Sequence, residues 1–416
     1  MKVPYNIQKA ADQLGIKGNL KREQVSRIKS ILRGNDQMLI YPVGFGKSAI
    51  FQIPAILNGN YPTIVFEPTV SLMYDQVQRL QACGISADYI SHRNRSDHDR
   101  ILEDYENGSV TLLYVTPERI NDSAFREAIA ENPPWLVVID EAHCVIEWGV
   151  SFRPDYQRIG DFIDHLEQRP VVVAMTATAP KSYRRDMLDE FDMDATAVHT
   201  APLGRSNLYV IRETMVSDKI LSRCRRAKTL INKYAGDGRV VVYCSTKSDT
   251  DKAYNYLKEK FPKQVIKCHS FMDDEERADH EMKFIKGKRR IMVATTAFGM
   301  GVNISDIRLV LHLSMPISPV SYYQEIGRAG RDGEKSRCVL LYHPDDHKKF
   351  SRILKEEENE KAKKQIEKGI QQMKDIAEGD SCIMKAVLTI LDDEDPKPCG
   401  RCSVCQSKRQ DSRKGA

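Results

Sequence analysis

The sequence predicts an α/β protein in which two parallel-sheet lobes are followed by a small helical, metal-holding module. Three observations predict it. Short apolar, β-branched runs alternate with longer amphipathic stretches through most of the chain, the pattern of parallel sheets covered by helices on both faces. The rhythm pauses at the turn-rich stretch Ala201-Pro202-Leu203-Gly204-Arg205. Beyond about Tyr342 the strand-like runs stop, a charged helical stretch extends from Asp346 to Glu378, and cysteines gather near the end.

In chain order, the first lobe's strands are expected at Met38-Leu39-Ile40, Thr63-Ile64-Val65-Phe66, Thr111-Leu112-Leu113-Tyr114, Leu136-Val137-Val138-Ile139 and Val171-Val172-Val173-Ala174. Those of the second are expected at Val240-Val241-Val242-Tyr243, Arg290-Ile291-Met292-Val293, Arg308-Leu309-Val310-Leu311 and Val339-Leu340-Leu341. The expected domains are 1–204, 205–342 and a zinc-type module over 343–410, with a polar, disordered tail over 411–416. A chain of 416 residues exceeds what one core usually supports, in keeping with several domains.

A net charge of +5 permits a nucleic-acid partner without arguing for one, because a basic groove can hide inside a nearly neutral total. The N-terminus lacks the apolar stretch of a signal peptide, and no run approaches the length needed to cross a bilayer. No membrane partner is expected. Ten cysteines without an export signal suggest reduced thiols and a metal rather than a disulfide framework.

Tyr41-Pro42-Val43-Gly44-Phe45-Gly46-Lys47-Ser48 follows the first strand and precedes a helical stretch. Gly44 and Gly46 would let backbone N–H groups approach phosphate, Lys47 would reach the β/γ-phosphates of ATP, and Ser48 would coordinate Mg²⁺. The full GxxxxGK[ST] pattern fails because its first glycine falls on Tyr41, and an ordinary glycine turn is the alternative. Leu136 to Ile139 runs directly into Asp140-Glu141-Ala142-His143. A strand ending in paired carboxylates can place Asp140 on Mg²⁺ and Glu141 beside an attacking water, so the pair strengthens the ATPase reading. Thr176 and Thr178 can bond to those carboxylates or cap a helix.

Arg328 and Arg331 stand three apart and would share one face of a helix. Trp148 and Phe152, beside Arg153, can stack on unpaired bases or simply pack in a core. The run Lys286-Gly287-Lys288-Arg289-Arg290 can touch phosphate or form a solvated loop. Cys399, Cys402 and Cys405 at Cys-x-x-Cys-x-x-Cys spacing, with Cys382 upstream, suit tetrahedral Zn²⁺ held by four thiolates, an iron–sulfur cluster being the alternative.

Read in order from about Leu14 to Cys405, these segments resemble the RecQ family of superfamily 2 helicases. The most specific are Asp140-Glu141-Ala142-His143-Cys144 through Phe152-Arg153-Pro154-Asp155-Tyr156, Ala297 through Asn303, and Gln324-Glu325-Ile326-Gly327-Arg328-Ala329-Gly330-Arg331-Asp332-Gly333. Thr69 to Met73 and Tyr114 to Arg119 look like family motifs that line a DNA path. The resemblance implies two RecA-like lobes with ATP between them, and an aromatic loop at Trp148, Phe152 and Arg153 that couples DNA contact to hydrolysis. It implies Arg331 as an arginine finger, with Arg328 and Gln324 close by, and a zinc module at the four cysteines. The activity implied is an ATP-driven 3′-to-5′ helicase or translocase on single-stranded and tailed duplex DNA, acting without sequence preference. An RNA helicase or a DNA-stimulated translocase without robust unwinding are the alternatives, and the expected place is the cytosol at the nucleoid, or a nucleus.

Two departures from the family pattern shape the expectations. In the nucleotide-recognition motif the glutamine is Gln24, the arginine position holds Lys21, and the aromatic position holds an aliphatic residue near Leu14-Gly15-Ile16. Weak ATP affinity or relaxed purine choice is expected. The sequence also stops just after the cysteines, where many relatives continue into a winged helix. Weak unwinding or a protein partner in its place is expected.

Overall fold

A computed structural model describes residues 6–147, 154–296, 298, 304–393 and 395–414. The chain divides into two compact units, Met1–Ala201 and Pro202–Ala416. The helical region after Tyr342 belongs to the second of them.

The first unit is built on seven strands: β1 (Gln37–Ile40), β2 (Thr63–Phe66), β3 (Ala87–Ile90), β4 (Leu112–Val115), β5 (Leu136–Ile139), β6 (Val171–Thr176) and β7 (Val198–Thr200). They pair in the order β3-β4-β2-β5-β6-β1-β7, every pair parallel. The second unit holds β8 (Leu208–Thr214), β9 (Arg239–Tyr243), β10 (Val265–Cys268), β11 (Ile291–Ala294), β12 (Ile307–His312) and β13 (Ser336–Tyr342). Its order is β10-β11-β9-β12-β13-β8, again all parallel. The second order repeats the first strand for strand, with β7 as the first unit's addition.

The apolar runs fold this way because alternate residues of a strand face opposite sides, and here both sides are covered. In β1 the side chains of Met38 and Ile40 enter one apolar cluster and Leu39 the other. Val137 and Ile139 of β5 likewise oppose Leu136 and Val138. Parallel strands direct their carboxyl ends to one edge, where loops of open α/β sheets carry ligand sites.

After β13 the chain forms the helices Glu360–Glu378, Ile383–Ile390 and Ser403–Lys414. The last runs through most of the stretch where a disordered tail is expected. Its first residue explains part of the difference, since the Ser403 hydroxyl accepts the Arg212 N–H of β8 at 3.1 Å and anchors the helix to the sheet. Among the described residues no helix is long and apolar enough to cross a membrane.

Candidate nucleotide site and cysteine cluster

The loop after β1 is shaped by its two glycines. Gly44 and Gly46 have φ of +83° and +89°, a region open to glycine at little cost. At Gly46 a side chain would also collide, because a Cβ there would lie 2.6 Å from Gln24 Nε2. The helix Lys47–Leu57 starts immediately after and aims its unsatisfied N–H groups and positive dipole end into the loop. Tyr41, where the longer phosphate-loop pattern has glycine, is fully buried. Its ring packs against Phe45 with centroids 4.3 Å apart, and its hydroxyl donates to Glu23 at 2.7 Å.

Gln24 and Lys21 both converge on this loop. The Gln24 amide donates to the carbonyls of Phe45 (3.2 Å) and Gly46 (3.1 Å), and its oxygen accepts the Lys21 N–H at 2.8 Å. The Lys21 ammonium donates to the Phe45 carbonyl at 3.1 Å and lies 4.2 Å from the centre of the Phe45 ring. Leu14 and Ile16 pack against the apolar cluster of this unit as half-buried side chains. Behind the loop, Gln76 donates to the Ser48 hydroxyl at 3.3 Å. Gln52 in turn donates to Gln76 and to the Tyr114 hydroxyl, each at 3.1 Å. No motif marks either glutamine; the available signal is a polar residue inside the apolar helical run Phe51-Gln52-Ile53.

The two carboxylates stand at the end of β5, next to β2 and β6. Burial pushes the Asp140 carboxyl up to about 6, and the Glu141 charge adds to this. The Lys47 charge and the Glu141 N–H, which donates to Asp140 at 2.8 Å, act in the opposite direction. Glu141 sits at φ +48°. His143 is buried, and burial holds its imidazole below the usual range. Neutral His143 therefore meets Glu141, 3.4 Å away, as a polar contact rather than an ion pair. Its Nδ1 lies 2.9 Å from the Thr176 hydroxyl, and that hydroxyl donates to the Thr178 carbonyl at 3.0 Å. These bonds take Thr176 to His143 rather than to the carboxylates. Ser48 and Asp140 would offer oxygen donors of the type Mg²⁺ takes.

In the second unit Gln324 lies on the helix Pro319–Ile326. That helix stops before the arginines, so Arg328 and Arg331 do not share a helical face. The chain turns instead, with Gly327 as the C-cap and Gly330 at φ +55°. Arg328 is buried beside Tyr243 and donates to its hydroxyl oxygen. The neighbouring Glu325 carboxylate lies 2.7 Å from His312 Nε2 in a buried pair.

Trp148, Phe152 and Arg153 lie outside the described residues, as do Ala297 and the stretch 299–303. The basic run at Lys286 to Arg290 leads into the amino end of β11, opposite the carboxyl ends of the strands. Its Arg290 is engaged by Gln264 and the Gly236 carbonyl.

The sulfurs of Cys382, Cys399, Cys402 and Cys405 all lie within 4.8 Å of one another. Cys382 is the N-cap of the helix Ile383–Ile390, and its sulfur accepts the N–H groups of Lys385 (3.5 Å) and Cys399 (3.1 Å). The Cys399 sulfur accepts the Cys402 N–H at 3.3 Å. Such donors favour thiolates. The 3.8 Å between Cys402 and Cys382 Sγ is the tetrahedron edge expected from Zn–S bonds of about 2.3 Å, so the four residues fit a zinc ion. Elsewhere burial pushes the Cys224 and Cys338 thiols up to about 12, as expected of inert core cysteines.

Comparison with known proteins agrees with this division. Family models match in series: DEAD/DEAH box helicase over residues 21–186, helicase conserved C-terminal domain over 222–333, and RecQ zinc-binding over 344–406. The chain is 35% identical to the ATP-dependent DNA helicase RecQ of Bacillus subtilis (strain 168) over 375 residues, covering 89% of this chain and 61% of that protein. It is 34% identical over 341 residues to the "Probable ATP-dependent DNA helicase RecS" of the same strain, covering 82% of this chain and 67% of RecS. The first three curated relatives are RecQ proteins, and the chain spans about three-fifths of their length, 60–61%. Among solved structures, the DUF1998 helicase MrfA bound to DNA and AMPPNP superposes with a TM-score of 0.66 at 17% identity, covering 84% of this chain and 52% of that one. That likeness shows the fold.

Proposed function

Since the chain belongs to the RecQ family of helicases, we propose that it hydrolyses ATP to move 3′ to 5′ along single-stranded DNA and to unwind duplex DNA. One observation carries the ATPase: the left-handed glycine loop and helix N-terminus at Lys47 belong to the same unit as Asp140, whose carboxyl feels the Lys47 charge.

In this reading the loop N–H groups and Lys47 hold the β/γ-phosphates, with Gly44 and Gly46 allowing the close approach. Ser48 and Asp140 hold Mg²⁺, which when bound neutralises charge on the transferring phosphoryl group. Glu141 takes the proton of the attacking water. Arg328 and Arg331 stabilise the charge on the transferring phosphate, with Gln324 beside them. Gln24 and Lys21 tie the phosphate loop to the base end of the nucleotide. Gln24 can donate to the adenine edge only by giving up a bond it now makes to the Phe45 or Gly46 carbonyl, which supports weak or relaxed base selection. Trp148, Phe152 and Arg153 contact the DNA strand.

The test is strand displacement on a 3′-tailed duplex, with blunt and 5′-tailed controls, while ATP turnover is recorded with single-stranded DNA and with RNA. Displacement of the 3′-tailed substrate alone, with turnover stimulated by DNA, is expected. Stimulation by RNA alone would overturn the DNA assignment. Turnover without displacement would restrict the activity to translocation.

A further inference from the structure

The turn that carries the two arginines is shaped by side chains from the first residues of the second unit. Arg205 Nη1 donates to the Gly327 carbonyl at 3.2 Å, and Nη2 donates to the carbonyls of Ala329 (3.1 Å) and Gly330 (2.6 Å). Its Nε donates to Asn207 Oδ1 at 3.3 Å. The Asn207 amide then donates to the Gly330 carbonyl at 2.7 Å and to the Glu334 carbonyl at 3.0 Å. The acceptors on the turn are neutral carbonyls, so these bonds fix backbone shape rather than balance charge. They also account for Gly330: a Cβ there would lie 2.5 Å from the Asn207 amide nitrogen and 2.6 Å from both the Glu334 carbonyl and the Ser336 hydroxyl.

We infer that Arg205 and Asn207 are positioning residues for ATP hydrolysis, setting the Gly327–Gly330 backbone so that Arg328 and Arg331 project correctly toward the transferring phosphate. The inference rests on the phosphate-stabilising role proposed for those two arginines. A planar guanidinium suits the task because its donors diverge at fixed angles onto three carbonyls, which a lysine ammonium on a flexible stem cannot match. A displacement of about 1 Å at a catalytic group can cost roughly 10²-fold in rate.

The intact 416-residue chain tests it through R205Q, R205K, N207A, R331A and the double variant R205Q/R331A. Measured for each are DNA-stimulated kcat and KM for ATP, affinity for ADP, affinity for ADP–aluminium fluoride, and Tm. R205Q is expected to lose about 10²-fold in kcat, with ADP affinity held within about twofold and affinity for the phosphoryl-transfer mimic falling in step. R205K should recover part of the loss. The double variant should be no slower than R331A, because residues acting through one group are not additive. A merely structural role would lower Tm and leave the ratio of the two nucleotide affinities unchanged, and that result overturns the inference. So does additive loss in the double variant, or wild-type turnover in R205Q. If R205Q does not fold, N207A decides by the same ratio. R331A with wild-type turnover would instead overturn the role of the arginines themselves, whereas slow R331A beside normal R205Q and N207A overturns only the positioning role.

Discussion

Glu141 occupies the left-handed region at φ +48°, where a residue with a side chain is held at a cost of order 1–3 kcal/mol. The hydrogen bonds around it keep it there: the Glu141 N–H donates to Asp140 at 2.8 Å, and the next N–H, of Ala142, donates to the Met175 carbonyl at 2.8 Å. The bend turns the chain sharply off β5 and places two consecutive carboxylates at the strand end. Glu141→Gln keeps the shape and removes the proposed base. Steady-state hydrolysis should fall about 10²–10⁴-fold while binding of a fluorescent ADP analogue is retained, and wild-type turnover in that variant would remove Glu141 from the chemistry. The places of Lys47 and Ser48 at a helix start, and of Asp140 and Glu141 at a strand end, were legible in the sequence because a glycine turn and an apolar run precede them. The bonds of Gln24 to the Phe45 and Gly46 carbonyls were not, nor was the Gln52–Gln76–Ser48 relay. Both depend on segments brought together only by tertiary folding.

Among elements, the apolar runs of the central strands stood out as continuous buried stretches, whereas β3, β7, β8 and β10 did not. Those four are the edge strands of the two sheets. An edge strand is covered less completely and keeps polar residues, as in β8, whose Tyr209, Ile211, Arg212 and Glu213 are only half-buried, so it loses the uniform apolar signature. The edge at β8 is protected by the cysteine module. Arg212 of this strand donates its N–H to Ser403, and its guanidinium donates to the carbonyls of Ile376 (3.2 Å) and Gly379 (2.7 Å). Zinc removal by a strong chelator is therefore expected to do two things. It should reduce helical signal modestly, since the central strands do not depend on the cysteines. It should also expose an unpaired strand edge, which promotes self-association. Circular dichroism and size-exclusion chromatography of chelated protein, with zinc restored as a control, check both. A chelated protein that remains monomeric with unchanged helicity would show that the cysteine cluster folds without the metal.

For the whole chain, charge sets the terms of the proposed DNA contact. Sixty-three Lys and Arg against 58 Asp and Glu leave a formal charge of only +5, too small for a uniform field to gather a polyanion. Attraction of the proposed DNA strand must therefore be local, and the basic run before β11 lies at the edge of its sheet opposite the carboxyl ends of the strands. Contacts of that kind hold phosphates and do not read base edges. Affinity for single-stranded DNA, followed by fluorescence anisotropy, should therefore fall linearly on a log–log plot against salt, by about 0.7 per phosphate contacted. The slope should be the same for a thymine homopolymer and a mixed sequence of equal length, and their affinities should agree within about threefold, the remainder reflecting base stacking strength. A persistent difference of tenfold or more at every salt concentration would mean that base edges are being read, and that the chain recognises sequence as well as charge and shape.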